Sequence, residues 1–223
     1  MQKYQIAVDG PAGSGKSTIA KLLAKKLGFL YIDSGAMYRA ATLYLVKKKL
    51  LSKPESEIKK HIRKIKISFK GEENEQKFFL NNNDVTKEIR SSPVNKLVSE
   101  ISSIKVIRQE MVKRQRDLGL ENSIVMDGRD IGTTVFPKAS LKIYLTASPY
   151  VRAKRRKKDL QKLGEKVGLK ELIKQIQARD NYDSSRLISP LSKAQDAIVI
   201  DTSNLNISEV LDQISLFLPV MLI

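Results

Sequence analysis

The chain has 223 residues, of which 41 are Lys or Arg and 24 are Asp or Glu, so its formal net charge is +17 at pH 7. This length is enough to bury one good hydrophobic core. Because the chain contains no cysteine and a single histidine, His61, it excludes a disulfide framework, a thiolate nucleophile and metal sites built from several cysteines or histidines. The excess charge is compatible with nucleic-acid binding, but no RNA-binding aromatic motif accompanies the lysine clusters. We therefore interpret it as solvated faces together with an anionic small-molecule substrate.

The two ends of the sequence bear on the cellular location that we expect for the protein. The N-terminus lacks a basic segment followed by a signal-length apolar run, and the apolar end 214–223 is short and interrupted by Pro219. We expect a cytoplasmic monomer that does not enter a membrane and has no specific nucleic-acid partner.

Short apolar runs typical of strands recur along the chain, and a helical pattern follows each within a few residues. The runs are Ile6–Val8, Phe29–Ile32, Ile124–Met126, Leu141–Leu145 and Ala197–Ile200. This alternation predicts an α/β fold with a five-stranded parallel sheet covered by helices on both faces. Ligands of such sheets bind at the carboxyl ends of the strands, so the loops after Val8, Ile32 and Met126 are the candidate site.

Capping residues predict where several helices begin. Pro93 is predicted at a first helical position after Ser92, and Pro149 takes the same position after Ser148. Ser208 precedes the helical pattern EVLDQI near the C-terminus.

Two segments depart from the strand–helix alternation. Residues 65–90 alternate apolar and polar side chains around GEEN and NNND, which predicts a small antiparallel sheet inserted into the scaffold. Residues 150–186 are helical and basic, with a break at Gly164 to Gly168 that would form the tip of a two-helix lid. We therefore expect one domain with inserts.

The stretch GPAGSGKST follows the first strand and opens the first helix, which is the context of a phosphate-binding loop, or P-loop. In such a loop the main-chain N–H groups surround a polyphosphate, Lys16 bridges the outer phosphates and Ser17 is placed to bind Mg²⁺. A merely glycine-rich turn would explain the glycines but not Lys16 and Ser17. The predicted ATP-binding residues are Gly10, Pro11, Ala12, Gly13, Ser14, Gly15, Lys16, Ser17 and Thr18.

A second group of polar residues, DSGAMYR, follows the second strand. Asp33 and Ser34 lie where short oxygen side chains cap a helix, and capping alone or a role in ligand binding would each explain them. Tyr38 and Arg39 follow about one turn later. An arginine near the start of a helix opposes the macrodipole, so a phosphate partner explains Arg39 better than helix stability does.

The third strand ends in MDGRDIGT. Asp127 follows an apolar strand as a Walker B aspartate does, so it is predicted to hold Mg²⁺ together with Ser17. Arg129 and Asp130 project from the same strand end.

Four motifs in this order, GPAGSGKST, DSGAMYR, MDGRDIGTTVFP and RDNYDSSRLISPL, resemble the bacterial cytidylate kinases, which move a phosphoryl group from ATP to CMP or dCMP. The resemblance runs nearly end to end and implies the P-loop fold. It also implies a division of the single domain into core (about 1–34, 87–148 and 187–223), a nucleotide-monophosphate region (about 35–86) and a lid (about 150–186).

The resemblance further implies a role for each matching residue. The base would be contacted by Ser34, Ser99, Arg108 and Asp130, the sugar by Arg179 and Asp183, and the acceptor phosphate by Arg39, Arg129 and Arg186, with Tyr38 in the same substrate site. An acidic acceptor suits the amino group of cytosine, whereas uracil presents a carbonyl there. In the alternative interpretation the residues at 179, 183 and 186 form an ion-pair ladder, and Arg108 lies on an exposed helix face.

Such a reaction needs no nucleophilic side chain, because the CMP phosphate itself attacks in line. Catalysis would consist of alignment and charge neutralisation by Lys16, Arg129 and Mg²⁺, and at least one of Arg152, Arg155 and Arg156 would reach the transferred group. Simple solvation is the alternative for these three arginines. The rival functions are a P-loop kinase for UMP or a nucleoside, and an NTP-regulated RNA-binding protein.

Overall fold

The computed structural model describes residues 3–71, 76–162 and 164–218. Most of the predicted GEEN turn and the last five residues of the apolar end lie outside the described residues. The described residues form two compact units, one up to Ile32 and from Glu121 onward, the other from Asp33 to Leu120. The predicted division into core, nucleotide-monophosphate region and lid stays a prediction.

Strands and helices alternate through most of the described chain. The strands are β1 (Gln5–Asp9), β2 (Leu30–Asp33), β3 (Ile67–Lys70), β4 (Lys77–Leu80), β5 (Asn83–Asp84), β6 (Ile124–Gly128), β7 (Leu141–Thr146) and β8 (Ile198–Asp201). The helices are α1 (Lys16–Leu27), α2 (Ser34–Lys47), α3 (Glu55–Lys64), α4 (Ser92–Ile101), α5 (Lys105–Glu121), α6 (Pro149–Lys162), α7 (Leu169–Ser184) and α8 (Ile207–Ser215). A 3₁₀ turn occupies Glu88–Arg90 and a π turn Ile131–Val135.

The predicted parallel sheet is confirmed, with strand order β2-β6-β1-β7-β8 in the described part of the chain. The central strand β1 pairs in parallel with β6 and β7, so that Val8 lies beside Asp127 on one side and Ile143 on the other. Ile6, Ala7 and Val8 are completely buried because helices cover both faces of a parallel sheet. Asp9 and Asp127 therefore emerge together at the carboxyl edge, where the α/β fold places its ligands.

The predicted helix starts are correct to within two residues. Helix α6 begins at Pro149, and Val151 N donates a hydrogen bond to Ser148 Oγ at 3.3 Å. Helix α4 begins one residue earlier than predicted, at Ser92, so Pro93 is its second residue. The prediction for Ser208 was wrong: α8 begins at Ile207, and Asn206 caps it in a reciprocal capping box with Glu209.

The second unit carries the predicted inserted sheet, in which β3, β4 and β5 pair antiparallel. The turn between β4 and β5 places Asn81 and Asn82 at φ angles of 50° and 68°, a region that asparagine tolerates better than most residues. Phe78 of β4 is buried, and β4 packs against α2. The insert is thus part of the hydrophobic core of this unit.

Helices α6 and α7 of the first unit pack against each other through Ala153, Leu160, Leu172 and Ile176. The predicted break between them is confirmed, since α6 ends at Lys162 and α7 begins at Leu169. In the ranges that the structure describes, none of the helices is both long and apolar enough to cross a membrane.

Candidate active site

The P-loop of the first unit is shaped by its glycines. Gly10, Gly13 and Gly15 have φ angles of 143°, 78° and 95°, which disfavour residues with a side chain. At Gly10 a Cβ atom would lie 2.0 Å from the carbonyl oxygen of Leu145, so the neighbouring strand leaves no room for one. The loop can therefore pass tightly from β1 into α1.

Three consecutive P-loop carbonyl groups are held by side chains from elsewhere in the unit. Ala12 O accepts a hydrogen bond from Arg152 Nη1 at 3.1 Å, and Gly13 O accepts one from Arg155 Nη1 at 3.4 Å. Ser14 O accepts from the hydroxyl of Thr202, directly after β8, at 3.0 Å. Because the C=O and N–H groups of a trans peptide point in opposite directions, these contacts turn the N–H groups of the following residues toward the other side of the loop.

Lys16 is buried inside this loop, with 5% of its surface exposed. Its Nζ donates to Pro11 O at 2.7 Å and lies 3.5 Å from Ser14 Oγ. Burial, followed by the nearby charge of Arg129, lowers the pKa of Lys16 well below its ordinary value. An anionic ligand would offset both effects, which is the property expected of a phosphate-binding lysine.

Ser17 and Asp127, the two residues predicted to bind metal, lie side by side, and metal binding by them stays a prediction. Ser17 Oγ donates to Asp127 Oδ2 at 2.8 Å, and the hydroxyl of Tyr31 donates to Asp127 Oδ1 at 2.8 Å. Among the described residues no group of three His, Cys, Asp or Glu side chains could hold a metal by itself. One carboxylate and one hydroxyl fit Mg²⁺, which commonly takes few protein oxygens and completes its shell with phosphate and water.

Asp9, at the end of β1, is a buried polar residue that the sequence interpretation missed. It is 4% exposed, and its two oxygens accept hydrogen bonds from Ile131 N at 2.9 Å and Gly132 N at 2.7 Å. Burial raises the pKa of Asp9 to about 7, with a further increase from Asp130, while the two amides and Lys16 act in the opposite direction.

Arg129 connects the turn after β6 to two other parts of the unit. Its Nε donates to Asp183 Oδ2 at 3.1 Å and its Nη1 donates to Gly10 O at 3.1 Å. Asp183 also pairs with Arg186, while Arg179 lies farther away, with its Nε 3.9 Å from Asp183 Oδ2. The ladder within α7 and the loop after it therefore exists, but Asp183, which is 1% exposed, is also the centre of a larger arginine cluster.

The solvation alternative was wrong for two of the three candidate lid arginines. Arg152 is 5% exposed and pairs with Asp180, and its Nε donates to Ala147 O at 2.9 Å. Arg155 donates to Thr202 through Nη1 at 2.9 Å and Nη2 at 2.7 Å. Arg156 is exposed on the same helix. Arg152 and Arg155 are thus attached to the P-loop, and the role of any of the three in phosphoryl transfer stays a prediction.

In the second unit, Asp33 caps helix α2, which was one of the two roles considered for it. Its Oδ1 accepts from Ala36 N at 2.8 Å, while its Oδ2 pairs with Arg39 Nη2 at 2.7 Å. This carboxylate offsets the unfavourable position of Arg39 near the start of the helix, so a phosphate is no longer needed to explain that position. Ser34 is the first residue of the helix and is buried.

Arg108 is a buried residue of helix α5, so the alternative interpretation, an exposed helix face, was wrong. It is 3% exposed, its Nε donates to Ser102 O at 2.9 Å, and its guanidinium lies 5.0 Å from the centre of the Tyr38 ring. Ser102 Oγ in turn donates to Ser99 O at 3.0 Å. Tyr38 and Arg108 are therefore neighbours in this unit, and the main-chain carbonyl of Ser99 is linked to Arg108 through Ser102.

The glycine loop with its buried lysine, the Ser17–Asp127 pair and the arginine cluster, all at the carboxyl edge of a parallel sheet, define a P-loop protein of the phosphotransferase class. The chain belongs to the cytidylate kinase family, whose sequence pattern matches residues 6–218. The resemblance stated from the four motifs is thereby confirmed.

Individual relatives agree with this assignment. The chain is 47% identical over 212 residues to a cytidylate kinase of Limosilactobacillus reuteri (strain DSM 20016), covering 95% of this chain and 93% of that protein. It is 49% identical over 215 residues to a bifunctional pantoate ligase/cytidylate kinase of Prochlorococcus marinus (strain NATL2A). That match covers 96% of this chain but only 42% of the bifunctional protein, so the chain spans less than half of such relatives.

A solved structure of an uncharacterized protein from Eubacterium ventriosum ATCC 27560 has the same fold. Its TM-score is 0.53 at 12% sequence identity, with 97% of this chain and 98% of that chain covered. At this identity the likeness concerns the fold alone.

Proposed function

We propose that the protein catalyses ATP-dependent phosphorylation of CMP and dCMP to CDP and dCDP by direct in-line transfer. The observation that carries the proposal is that Lys16, Ser17, Asp127 and Arg129 lie at one carboxyl edge of the sheet in a chain that belongs to the cytidylate kinase family. The relatives named as cytidylate kinases support the choice of substrate.

At the donor end, the P-loop N–H groups and Lys16 would bind the phosphates of ATP. Ser17 and Asp127 would hold Mg²⁺, which supplies charge neutralisation on the phosphate oxygens when it is bound. Arg152 and Arg155 hold the loop backbone through the carbonyls of residues 12 and 13. The donor phosphates would thus meet a binding surface whose main chain is already fixed.

At the acceptor end, the attacking group would be the CMP phosphate, whose second pKa of about 6 makes it largely dianionic at neutral pH. Arginines are suited to bind and align such an anion, and we assign this role to Arg39, Arg129 and Arg186. Arg129 and Arg186 share Asp183, which keeps the two guanidinium groups near each other before an anion binds. Arg179 and Asp183 are assigned to the sugar.

The base would be selected by Asp130, with Ser34, Ser99 and Arg108 as the other assigned contacts. Asp130 is 4% exposed, so a base atom bound to it would be largely removed from water. The exocyclic amino group of cytosine can donate to this carboxylate, whereas the carbonyl of uracil would leave two acceptors facing each other. We therefore expect CMP to be preferred over UMP.

Exclusion of water during transfer would fall to the segment from α6 to α7, which we propose as the lid. A cytoplasmic location and a monomeric state stay predictions from the sequence.

The test is ADP release with ATP and Mg²⁺ present, using CMP, dCMP, UMP and AMP as acceptors at equal concentration. Fast turnover with CMP and dCMP and slow turnover with the others would support the proposal. Lys16→Ala should abolish turnover with every acceptor, whereas Asp130→Ala should reduce the preference for CMP over UMP. Equal losses for CMP and UMP in Asp130→Ala would contradict the base assignment, and no stimulation by any monophosphate would contradict the function itself.

A further inference from the structure

The turn that follows β6 is attached to the end of β1 by two separate contacts. Both oxygens of Asp9 are used, one by Ile131 N at 2.9 Å and the other by Gly132 N at 2.7 Å. At the next residue, just after the end of β1, Gly10 O accepts a hydrogen bond from Arg129 Nη1 at 3.1 Å. The attached turn contains Arg129 and Asp130, which the proposed function assigns to the acceptor phosphate and to the base.

The packing around Asp9 leaves the turn little freedom to move. A Cβ atom at position 132 would lie 3.3 Å from Asp9 Oδ2 and 3.2 Å from Lys142 Cδ, so Gly132 lets the main chain approach the carboxylate closely. Lys142 is itself held, since its Nζ donates to Pro137 O at 2.6 Å and to both oxygens of Asp196 at 2.9 Å. The Asp9 carboxylate and the held Lys142 side chain thus both lie close to the main chain at Gly132.

A carboxylate is an unfavourable residue to bury at this place unless both of its oxygens are needed. Asp9 is 4% exposed and lies close enough to buried Asp130 for the two charges to repel. An Asn side chain of the same size would accept a hydrogen bond from one of the two main-chain N–H groups through its oxygen. Its NH₂ group would then face the other N–H group, so that two donors would meet. The aspartate at position 9 is therefore explained by two adjacent amides that each need an acceptor oxygen, rather than by packing.

We propose that Asp9 is a positioning residue that sets the placement of Arg129 and Asp130, and thereby the selection of the acceptor nucleotide. This inference rests on the proposed function, because it deepens the account of the same acceptor site. Asp9 acts through the main chain of the turn and is not itself expected to touch either nucleotide.

The variant Asp9→Asn should lower kcat/KM for CMP by about 10- to 100-fold, the effect of leaving one buried N–H group without an acceptor at a site where position governs rate. The ratio of kcat/KM for CMP to that for UMP should fall as well, because Asp130 would no longer meet the cytosine amino group correctly. The Kd for ATP should stay within about twofold, since the P-loop carbonyls are held by other side chains. A merely structural role would reduce both acceptors equally and leave the ratio unchanged.

The matched control is Asp84→Asn, which removes the charge of an exposed aspartate at a strand end whose Oδ1 accepts from Thr86 N at 2.9 Å. It should leave turnover and the CMP/UMP ratio as in the unchanged protein. A second variant, Gly132→Ala, keeps the carboxylate and pushes the turn away from it, so it should lower the same ratio. An unchanged ratio in both Asp9→Asn and Gly132→Ala, with both proteins folded, would overturn the proposal.

Amide hydrogen exchange separates this proposal from the proposed function. In Asp9→Asn the amides of Ile131 and Gly132 should exchange at least about tenfold faster, whereas in Asp84→Asn they should not change. If the unchanged protein does not phosphorylate CMP, the function fails by itself, and the exchange result still decides whether Asp9 positions the turn. Unaltered exchange at both amides in Asp9→Asn would overturn the positioning role whatever the substrate is.

Discussion

Replacing Asp183 by Asn tests whether this carboxylate neutralises the arginine cluster. The side chain of Asp183 is 2% exposed, and those of its partners Arg186 and Arg129 are 6% and 19% exposed. Breaking a buried ion pair from one side leaves an uncompensated charge and costs about 3–5 kcal/mol. The Arg129 side chain is partly hydrated, and the Arg179 side chain, whose Nε lies 3.9 Å from Asp183 Oδ2, is 36% exposed. Because water screens both charges in part, we expect the lower end of that range, about 3 kcal/mol.

Urea unfolding followed by circular dichroism measures this change in the free energy of unfolding. The control is Asp159→Asn, on the exposed face of α6, which should stay within about 0.5 kcal/mol of the unchanged protein. In a double-mutant cycle, adding Arg186→Met to Asp183→Asn should cost much less than Arg186→Met alone, because the charge left unpaired is then removed. A loss no larger than that of the control, or full additivity in the cycle, would refute the reasoning.

Three further predictions concern other contacts. Because the pKa of Asp9 rises from 3.8 to about 7 on folding, the native state keeps a proton that the unfolded chain has lost. The free energy of unfolding should therefore fall as pH rises from about 4 to about 7, by at most about 4 kcal/mol, and Asp9→Asn should lack this slope in urea titrations at several pH values. Arg114→Met should lower the free energy of unfolding by about 2 kcal/mol in the same assay, because three carbonyls at the end of α3, 2.7 to 3.2 Å away, lose their donor. Thr202→Val should raise the KM for ATP by about fivefold with the KM for CMP unchanged, since Ser14 O loses its donor and Arg155 Nη1 loses one of its acceptors. Thr202→Ser should restore the KM for ATP, and a variant of Thr202 that changes both KM values equally would contradict this explanation.

The parallel sheet and the P-loop could be predicted from the sequence because their determinants are local. Five apolar runs with helices between them admit few arrangements other than a parallel sheet, and the spacing from Gly10 to Ser17 is a self-contained motif. The helix starts were less exact, because Asn206 and Ser208 are both good capping residues and only the reciprocal contact with Glu209 distinguishes them.

The contacts that support the site could not be predicted in this way, because their partners are distant in the chain. Asp9 binds amides 122 and 123 residues away, and the Thr202 hydroxyl binds Ser14 O at a separation of 188 residues. The arginines of α6 were open to a solvated interpretation because a run of basic residues does not show which of them face inward. Arg152 lies on the buried face and Arg156 on the exposed one, which depends on what the helix packs against.

The hydrogen bonds that hold the main-chain carbonyls of Ala12, Gly13 and Ser14 in the P-loop have a consequence for protein engineering. The nine-residue motif contains the groups that would touch a phosphate, but Arg152, Arg155 and Thr202, which hold its carbonyls, lie 140 to 188 residues away along the chain. Grafting the motif alone between a strand and a helix of another scaffold would transfer its amino-acid sequence without the contacts that fix its main-chain conformation. A functional transplant would have to carry those three anchors with it, and their presence at matching positions is a criterion for choosing the recipient.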